Sequence, residues 1–263
     1  MSPDVPGLPA INVLGTRVHV LNAAGATALI EGWMESAPRG RYVCVTGVHG
    51  VMEGLRNPEV RRVHNHADAV VMDGMPLVWL ARFKGQHGVG RVYGPDLMLT
   101  LLAAAAQRGW SNYFYGGHEG VAAELGRRMP ARFPGLHVAG AATPPFRPLT
   151  AAEEDQAVQA INRAQPDLLW IGLSTPKQEL LMARLRDKVR ARVLLGVGAA
   201  FDFHTGRVRQ APRWMQRGGL EWLFRLSVEP RRLYRRYLRN NPSFLWHTLL
   251  QTTGLRKYPI KPE

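Results

Sequence analysis

The chain has 263 residues, 46% of them hydrophobic and 21% charged, a composition that can bury a substantial core and excludes wholesale disorder. A net charge of +14 and a pI near 10.8 predict an anionic partner, whether nucleotide, lipid headgroup or nucleic acid. The single cysteine, Cys44, excludes an intrachain disulfide framework or cysteine-based zinc site. With no signal pattern and no run near the ~20 apolar residues that span a bilayer, the sequence reads as cytoplasmic, touching a membrane only peripherally.

In chain order, short apolar runs bounded by glycine, proline or polar residues predict strands at 42–47 (YVCVTG), 69–74 (AVVMDG), 112–117 (NYFYGG), 136–141 (LHVAGA), 168–173 (LLWIGL) and 193–198 (VLLGVG). Cys44, inside the first, reads as a small buried hydrophobe. Amphipathic stretches at 95–109, 120–133, 151–164 and 177–190 predict helices, with Thr150 and Glu153 forming a capping-box signature for the third. Buried strands alternating with helices predict an α/β fold: a Rossmann-like, doubly wound, mainly parallel sheet with a C-terminal helical appendage. From about residue 206 the alternation stops and arginine, tryptophan and proline become dense. The expected organisation is a catalytic domain over 1–205 and a basic, aromatic-rich appendage over 206–263.

Within the appendage, Glu229 and Pro230 predict a helix start. At ~100° per residue, Arg231, Arg232, Arg235, Arg236 and Arg239 then fall on one face, with Leu233, Tyr234, Tyr237 and Leu238 opposite. Such a helix suits an anionic membrane, a nucleotide diphosphate or nucleic acid, or is a solvated basic face.

Ligands of doubly wound sheets sit beyond the carboxyl ends of the strands. Asp73 lies there, placed either for general-base work or for capping the helix that follows. Thr46, Gly116 and Gly117 lie at other strand ends, and Gly198 belongs to GVGAAFD, whose lone GxG is a weak dinucleotide signal. The segment STPKQE opens a helix where backbone N–H groups, Lys177 and Gln178 could meet a phosphate or a base edge. His49, His64 and His66 read as surface or capping histidines, since no metal-ligand spacing involves them. No GxSxG elbow, Walker loop or DxD pair is present.

Taken in order, ADAVVMDGMPLVWLAR, GVGRVYGPDLM, YFYGG, FPGL, PDLLWIGLSTPKQE, GVGAAFDFHTG and RQAPRWMQRGGLEWLFRLSVEPRRLYRRY resemble the WecG/TagA/CpsF family of bacterial glycosyltransferases. The resemblance implies transfer, with inversion, of a sugar from a UDP-sugar to a saccharide on a polyprenyl diphosphate. This is chemistry of surface or exopolysaccharide synthesis at the cytoplasmic face of the inner membrane. It makes Asp73 the general base, with Thr46 positioning sugar or acceptor, Arg91 contacting substrate and Gln178 meeting the nucleotide. Arg225, Arg232 and Arg235 would neutralise the departing diphosphate. No metal or other cofactor is then expected, because guanidinium groups stand in for the missing DxD site. The implied partners are the UDP-sugar, the lipid-linked glycan and an anionic membrane surface, with no nucleic acid; oligomeric state stays open.

The chain departs from the family pattern at Val48, where many members carry asparagine, so that His49 becomes a candidate replacement contact. Ser174 and Thr175 before the PKQE segment add polar groups of their own. These differences fall where sugar identity would be read, so the donor sugar is not carried over. A basic nucleic-acid-binding protein and a noncatalytic membrane scaffold are the alternatives. A nicotinamide oxidoreductase would need an early GxGxxG that is absent.

Overall fold

The computed structural model describes residues 8–36 and 39–260. Its first elements, β1 (Ala10–Val13) and β2 (Thr16–His19), pair as an antiparallel hairpin that the sequence reading did not predict. A two-residue hairpin turn of type I′ needs positive φ at both central residues; here Leu14 (φ 52°) and Gly15 (φ 86°) supply it. Leucine in the place usually taken by asparagine hides the turn.

All six predicted strands form. β3 (Arg41–Thr46), β4 (Ala69–Met72), β5 (Ser111–Gly116), β6 (His137–Ala142), β7 (Leu168–Gly172) and β8 (Val193–Gly196) make one sheet in the order β4-β3-β8-β7-β5-β6. The pairings of β3 with β8, β8 with β7, β7 with β5 and β5 with β6 are parallel. The fold is therefore the expected α/β arrangement with a C-terminal helical segment. The first four residues of β7 are buried throughout, as a central parallel strand requires, and so is all-apolar β4, an edge strand covered by β2, whereas β6, at the opposite edge, is half-exposed. Cys44 is buried in β3.

The chain divides into two compact units. The first gathers the described parts of Met1–Asn22, Val45–Tyr93 and Arg209–Glu263; the second gathers those of Ala23–Cys44 and Gly94–Val208. In the second unit, α1 (Ala23–Ser36) packs on α5 (Gly94–Arg108) and β8, and α6 (Val121–Arg132) on β5 and β6. α7 (Ala151–Ala164) carries the capping box between Thr150 and Glu153. α8 (Lys177–Leu185) stops short of the expected residue 190. There the Asn162 side chain bonds the Lys188 carbonyl (2.9 Å) and the Arg190 N–H (2.7 Å), backbone groups that further helical turns would have used. α9 (Ala200–His204) follows β8. The His204 imidazole is held below its ordinary pKa by burial, which outweighs its contact with the Pro95 carbonyl.

The first unit holds the hairpin, α2 (Val48–Arg56), α3 (Pro58–Asn65) and α4 (Met75–Phe83), together with α10 (Arg213–Arg217), α11 (Glu221–Val228) and α12 (Pro230–Thr252). α12 starts where Glu229 and Pro230 predict, but its faces differ from the simple arginine-against-aromatic division. Leu233, Asn240 and Phe244 form its buried side, and Tyr237 and Arg236 are half-buried. Tyr234 (41% exposed) and Leu238 (72%) point outward instead. The apolar face is thus split, because the helix docks along one edge of it.

Glycines at the ends of β5 and β7 let backbone meet backbone. A Cβ on Gly116 (φ 127°) would lie 2.8 Å from the Gly172 carbonyl carbon, and one on Gly172 would lie 2.4 Å from the Phe201 ring. Gly172→Ala is therefore expected to destabilise the protein by about 1–3 kcal/mol through overpacking. Gly32→Ala, in α1 with nothing within 4 Å of the added Cβ, is expected to gain up to about 1 kcal/mol of helix propensity. Chemical denaturation of the two variants should move the midpoint in opposite directions.

Candidate active site

Asp73 follows β4, and the residue that caps α4 is Gly74. Asp73 therefore stands one residue before the cap position of α4. The backbone of Asp73 is clamped on both sides: its N–H donates to the Thr46 carbonyl at 2.9 Å, and its own carbonyl accepts from Arg91 Nε in a short contact. The carboxylate is 35% exposed, with Oδ1 lying 3.5 Å from Arg91 Nη2. An accessible carboxylate on a fixed backbone is what proton abstraction from a bound hydroxyl requires.

Arg91 is the hub. Its Nη2 makes a close ion pair with Glu221 Oε2, its Nη1 reaches the Gln216 carbonyl at 3.4 Å, and its guanidinium stacks 4.1 Å over the Tyr93 ring. The Tyr93 hydroxyl donates to Glu221 Oε1 at 3.3 Å. Burial disfavours the Arg91 charge, but Asp73 and Glu221 overcome it and hold the guanidinium pKa above its ordinary value. Burial, then the charges of Glu221 and Asp73, push the Tyr93 phenol far upward, so it stays a neutral donor.

The tail arginines separate into two groups. Arg225 and Arg232 share Glu229, at 3.9 and 2.7 Å. Arg236, depressed below its ordinary pKa by burial and then by Arg225 and Arg232, joins them. Tyr237 lies in the same field and packs edge-on against Trp222 at 5.9 Å. Arg235, by contrast, lies exposed over Tyr234, with Nε bonded to its hydroxyl at 2.8 Å. The helix thus gathers Arg225, Arg232 and Arg236, and sends Arg235 outward.

His49 is bonded to the Asn240 side-chain amide at 3.0 Å and lies 3.6 Å from Glu53. Asn240 in turn accepts from Arg56 Nη2 at 2.6 Å, which ties α12 to α2. His64 is fully buried rather than a surface histidine. Its Nδ1 bonds the Val60 carbonyl (2.9 Å) and its Nε2 meets the Thr46 hydroxyl (3.0 Å). That assigns the Nδ1–H tautomer and makes Thr46 the donor to Nε2. His66 caps α3 as expected.

The remaining candidates lie in the second unit. Gly116, Gly117 and Gly198 all have positive φ. Lys177 Nζ sits 4.7 Å over the exposed Phe146 ring. The N–H groups of Lys177 and Gln178 both bond the Ser174 carbonyl, so the helix start read as an anion site already uses those donors. Gln178 is buried against Gly196 and Gly198. Its Nε2 and the Thr175 hydroxyl both donate to Glu179 Oε1, at 3.1 and 2.8 Å. Thr175 thus spends its hydroxyl inside the protein.

A model of the "Glycosyl transferase WecG/TagA/CpsF family" matches residues 11–258. The chain belongs to that family. It is a glycosyltransferase, as the ordered motifs implied. An N-acetylglucosaminyldiphosphoundecaprenol N-acetyl-beta-D-mannosaminyltransferase of Bacillus spizizenii (strain ATCC 23059 / NRRL B-14472 / W23) is 30% identical over 200 residues, covering 76% of each chain. Sequence reasoning assigned nothing to Glu221, Tyr93 and Asn240, and placed Arg236 on the basic face of the helix without grouping it with Arg225 and Arg232. The one available signal was Glu221 itself, an acid inside a strongly basic, tryptophan-rich segment.

Like charges gathered at Arg225, Arg232 and Arg236 disfavour the ligand-free state and favour an anion. Inorganic pyrophosphate is expected to raise the melting temperature. Arg236→Met should raise the ligand-free melting temperature and shrink the pyrophosphate gain. Equal gains in both proteins would place the anion elsewhere.

Proposed function

We propose that this glycosyltransferase moves a sugar from a UDP-sugar to a saccharide carried on a polyprenyl diphosphate, with inversion and without a metal, at a membrane surface. Asp73 takes the proton of the acceptor hydroxyl as that oxygen attacks C1 of the donor sugar. The C1–O bond to UDP breaks on the opposite face, and the electron pair departs with the diphosphate. Arg225, Arg232 and Arg236 receive that developing charge, a role for which preformed guanidinium groups suit a site with no DxD pair. The observation that carries this reading is the accessible Asp73 carboxylate on a doubly clamped backbone. The acceptor class draws support from the Bacillus relative, whose name gives a diphosphoundecaprenol acceptor.

Asp73→Asn is expected to lower kcat by about 10²–10⁴-fold, the usual worth of a general base, in an assay of UDP release from a panel of UDP-sugars with a lipid-diphosphate monosaccharide. Turnover should survive EDTA; loss with EDTA and recovery with magnesium would refute the arginine-for-metal assignment.

Peripheral membrane contact is supported by the outward side of α12. Tyr234, Leu238, Leu245 and Leu249 are all exposed and share one stripe at i, i+4, i+11 and i+15, flanked by Arg231, Arg235 and Arg239. Among the described residues no helix is long and apolar enough to cross a membrane. Binding to vesicles containing phosphatidylglycerol is expected to weaken when Leu238 and Leu245 are changed together to Ser, with UDP-dependent chemistry on a soluble acceptor analogue retained. Unchanged vesicle binding would remove α12 from the membrane assignment.

A further inference from the structure

α12 carries two apolar stripes, and the protein buries the less apolar of them. The buried stripe is Leu233, Asn240 and Phe244; the exposed one is Tyr234, Leu238, Leu245 and Leu249. At ~100° per residue the centres of the two stripes lie about 130° apart, so apolar burial alone would turn the helix the other way. What the observed rotation gains is the seat of Asn240, which is 3% exposed. Its Oδ1 accepts from Arg56 Nη2 at 2.6 Å, and its Nδ2 lies 3.0 Å from His49 Nδ1. A guanidinium only donates, which puts the amide oxygen toward Arg56 and the amide N–H toward the imidazole, whose Nδ1 is then an acceptor. We propose that Asn240 is a positioning residue for the diphosphate site: its amide, held at both ends by α2, sets the rotation of α12 that brings Arg232 and Arg236 beside Arg225. Fixing register at a cost in apolar burial is the best-attested use of a buried polar side chain. The proposal rests on the reading of those three arginines as the receivers of the departing diphosphate and adds a residue that acts only through them.

The spacing along both helices agrees with this. His49, Glu53 and Arg56 stand at i, i+4 and i+7 on one face of α2, and Arg236 and Asn240 stand one turn apart on α12. Asn240 meets His49 and Arg56, while Glu53, between those two in the chain, lies in the field of Arg236. Glu53 also holds Arg56 at 3.2 Å and lies 3.6 Å from His49, so the α2 side of the lock is itself cross-braced. Arg236 in turn lies in the field of Arg225 and Arg232. Turning α12 through about 130° would bury the leucine stripe and carry Arg232 and Arg236 to its far side. Tyr237 would also leave Trp222, against which it packs at 5.9 Å. The helix would still be docked by apolar burial, and the cationic cluster would be gone.

The test uses the full chain and inorganic pyrophosphate, read as the rise in melting temperature that the anion produces. Asn240→Leu keeps the volume and the charge and removes both hydrogen bonds. Most of the pyrophosphate gain is expected to disappear in it, and kcat/KM with a UDP-sugar that the wild type turns over is expected to fall about 10–100-fold, the scale set by misplaced groups. A merely structural role would change the ligand-free melting temperature and leave the pyrophosphate gain of the folded protein intact. Where Asn240→Leu does not fold, His49→Gln and His49→Leu decide. Glutamine offers an oxygen to the Asn240 N–H and should keep the gain, leucine offers none and should lose it, and equal gains in the two overturn the proposal. Arg236→Met is measured beside them. A gain lost in Arg236→Met but kept in Asn240→Leu sinks the proposal alone; a gain kept in both sinks the reading of the arginines beneath it.

Discussion

A half-exposed carboxylate and a buried guanidinium make an unequal pair, and the first unit is organised around satisfying the guanidinium. Arg91 cannot lose its proton, so its burial must be offset by acceptors and negative charge. Asp73 supplies a carbonyl and a nearby charge, Glu221 a close carboxylate, Gln216 a carbonyl and Tyr93 an aromatic face. Three of these five contacts come from residues close to Asp73 and Arg91 in the chain; the other two come from α10 and α11. Docking of the C-terminal helices and placement of the candidate base are therefore one electrostatic event. Removing one partner of such a buried pair costs on the order of 3–5 kcal/mol. Exposed pairs such as Arg147 with Glu153 contribute about 1 kcal/mol or less. Of the many arginine–carboxylate pairs, Arg91 with Glu221 is the one whose loss the unit would feel.

The rest of the tail runs the opposite way electrostatically. Around Arg91, acids outnumber the base; around Arg236, three arginines face Glu229 and the more distant Glu53. The excess positive charge of the chain is thus concentrated where α11 and α12 meet, next to the Glu221 that closes on Arg91. Glu221, which meets Arg91 beside Asp73, and the arginine cluster of Arg225, Arg232 and Arg236 thus lie on the same pair of helices.

The strands were legible because each is a short apolar run with a polar or glycine boundary, and parallel strands are buried on both faces. The hairpin was not, since its turn uses Leu14 in a conformation that sequence statistics reserve for glycine and asparagine. Helical periodicity separated the arginines of α12 from its apolar residues correctly but could not say which edge of the apolar face would dock. Leu233, Asn240 and Phe244, spaced i, i+7 and i+11, decide that, and one of them is polar. Asp73 was singled out because it ends an apolar strand run, and Arg91 because it sits in a segment that resembles the family. Glu221 meets Arg91 across 130 residues and Asn240 meets His49 across 191, separations at which local pattern carries no information. The choice of Arg235 as a partner of Arg225 and Arg232 came from resemblance; the helix turns Arg236 to that side instead.

Thr46 shows how a residue can serve a site with its backbone. Its hydroxyl is turned into the interior toward His64, whose other nitrogen is committed to the Val60 carbonyl. Gly50 makes room for this, because a Cβ there would lie 2.8 Å from the Thr46 methyl group. The side chain thus locks the end of β3 against α2 and α3, and what faces Asp73 is the Thr46 carbonyl, which receives the Asp73 N–H. With Arg91 holding the other side of the same residue, the backbone of Asp73 is fixed from two directions before any ligand arrives. A carboxylate whose backbone is held this way would need little reorganisation were it to accept a proton, and low reorganisation is the condition under which a single carboxylate can serve as a base.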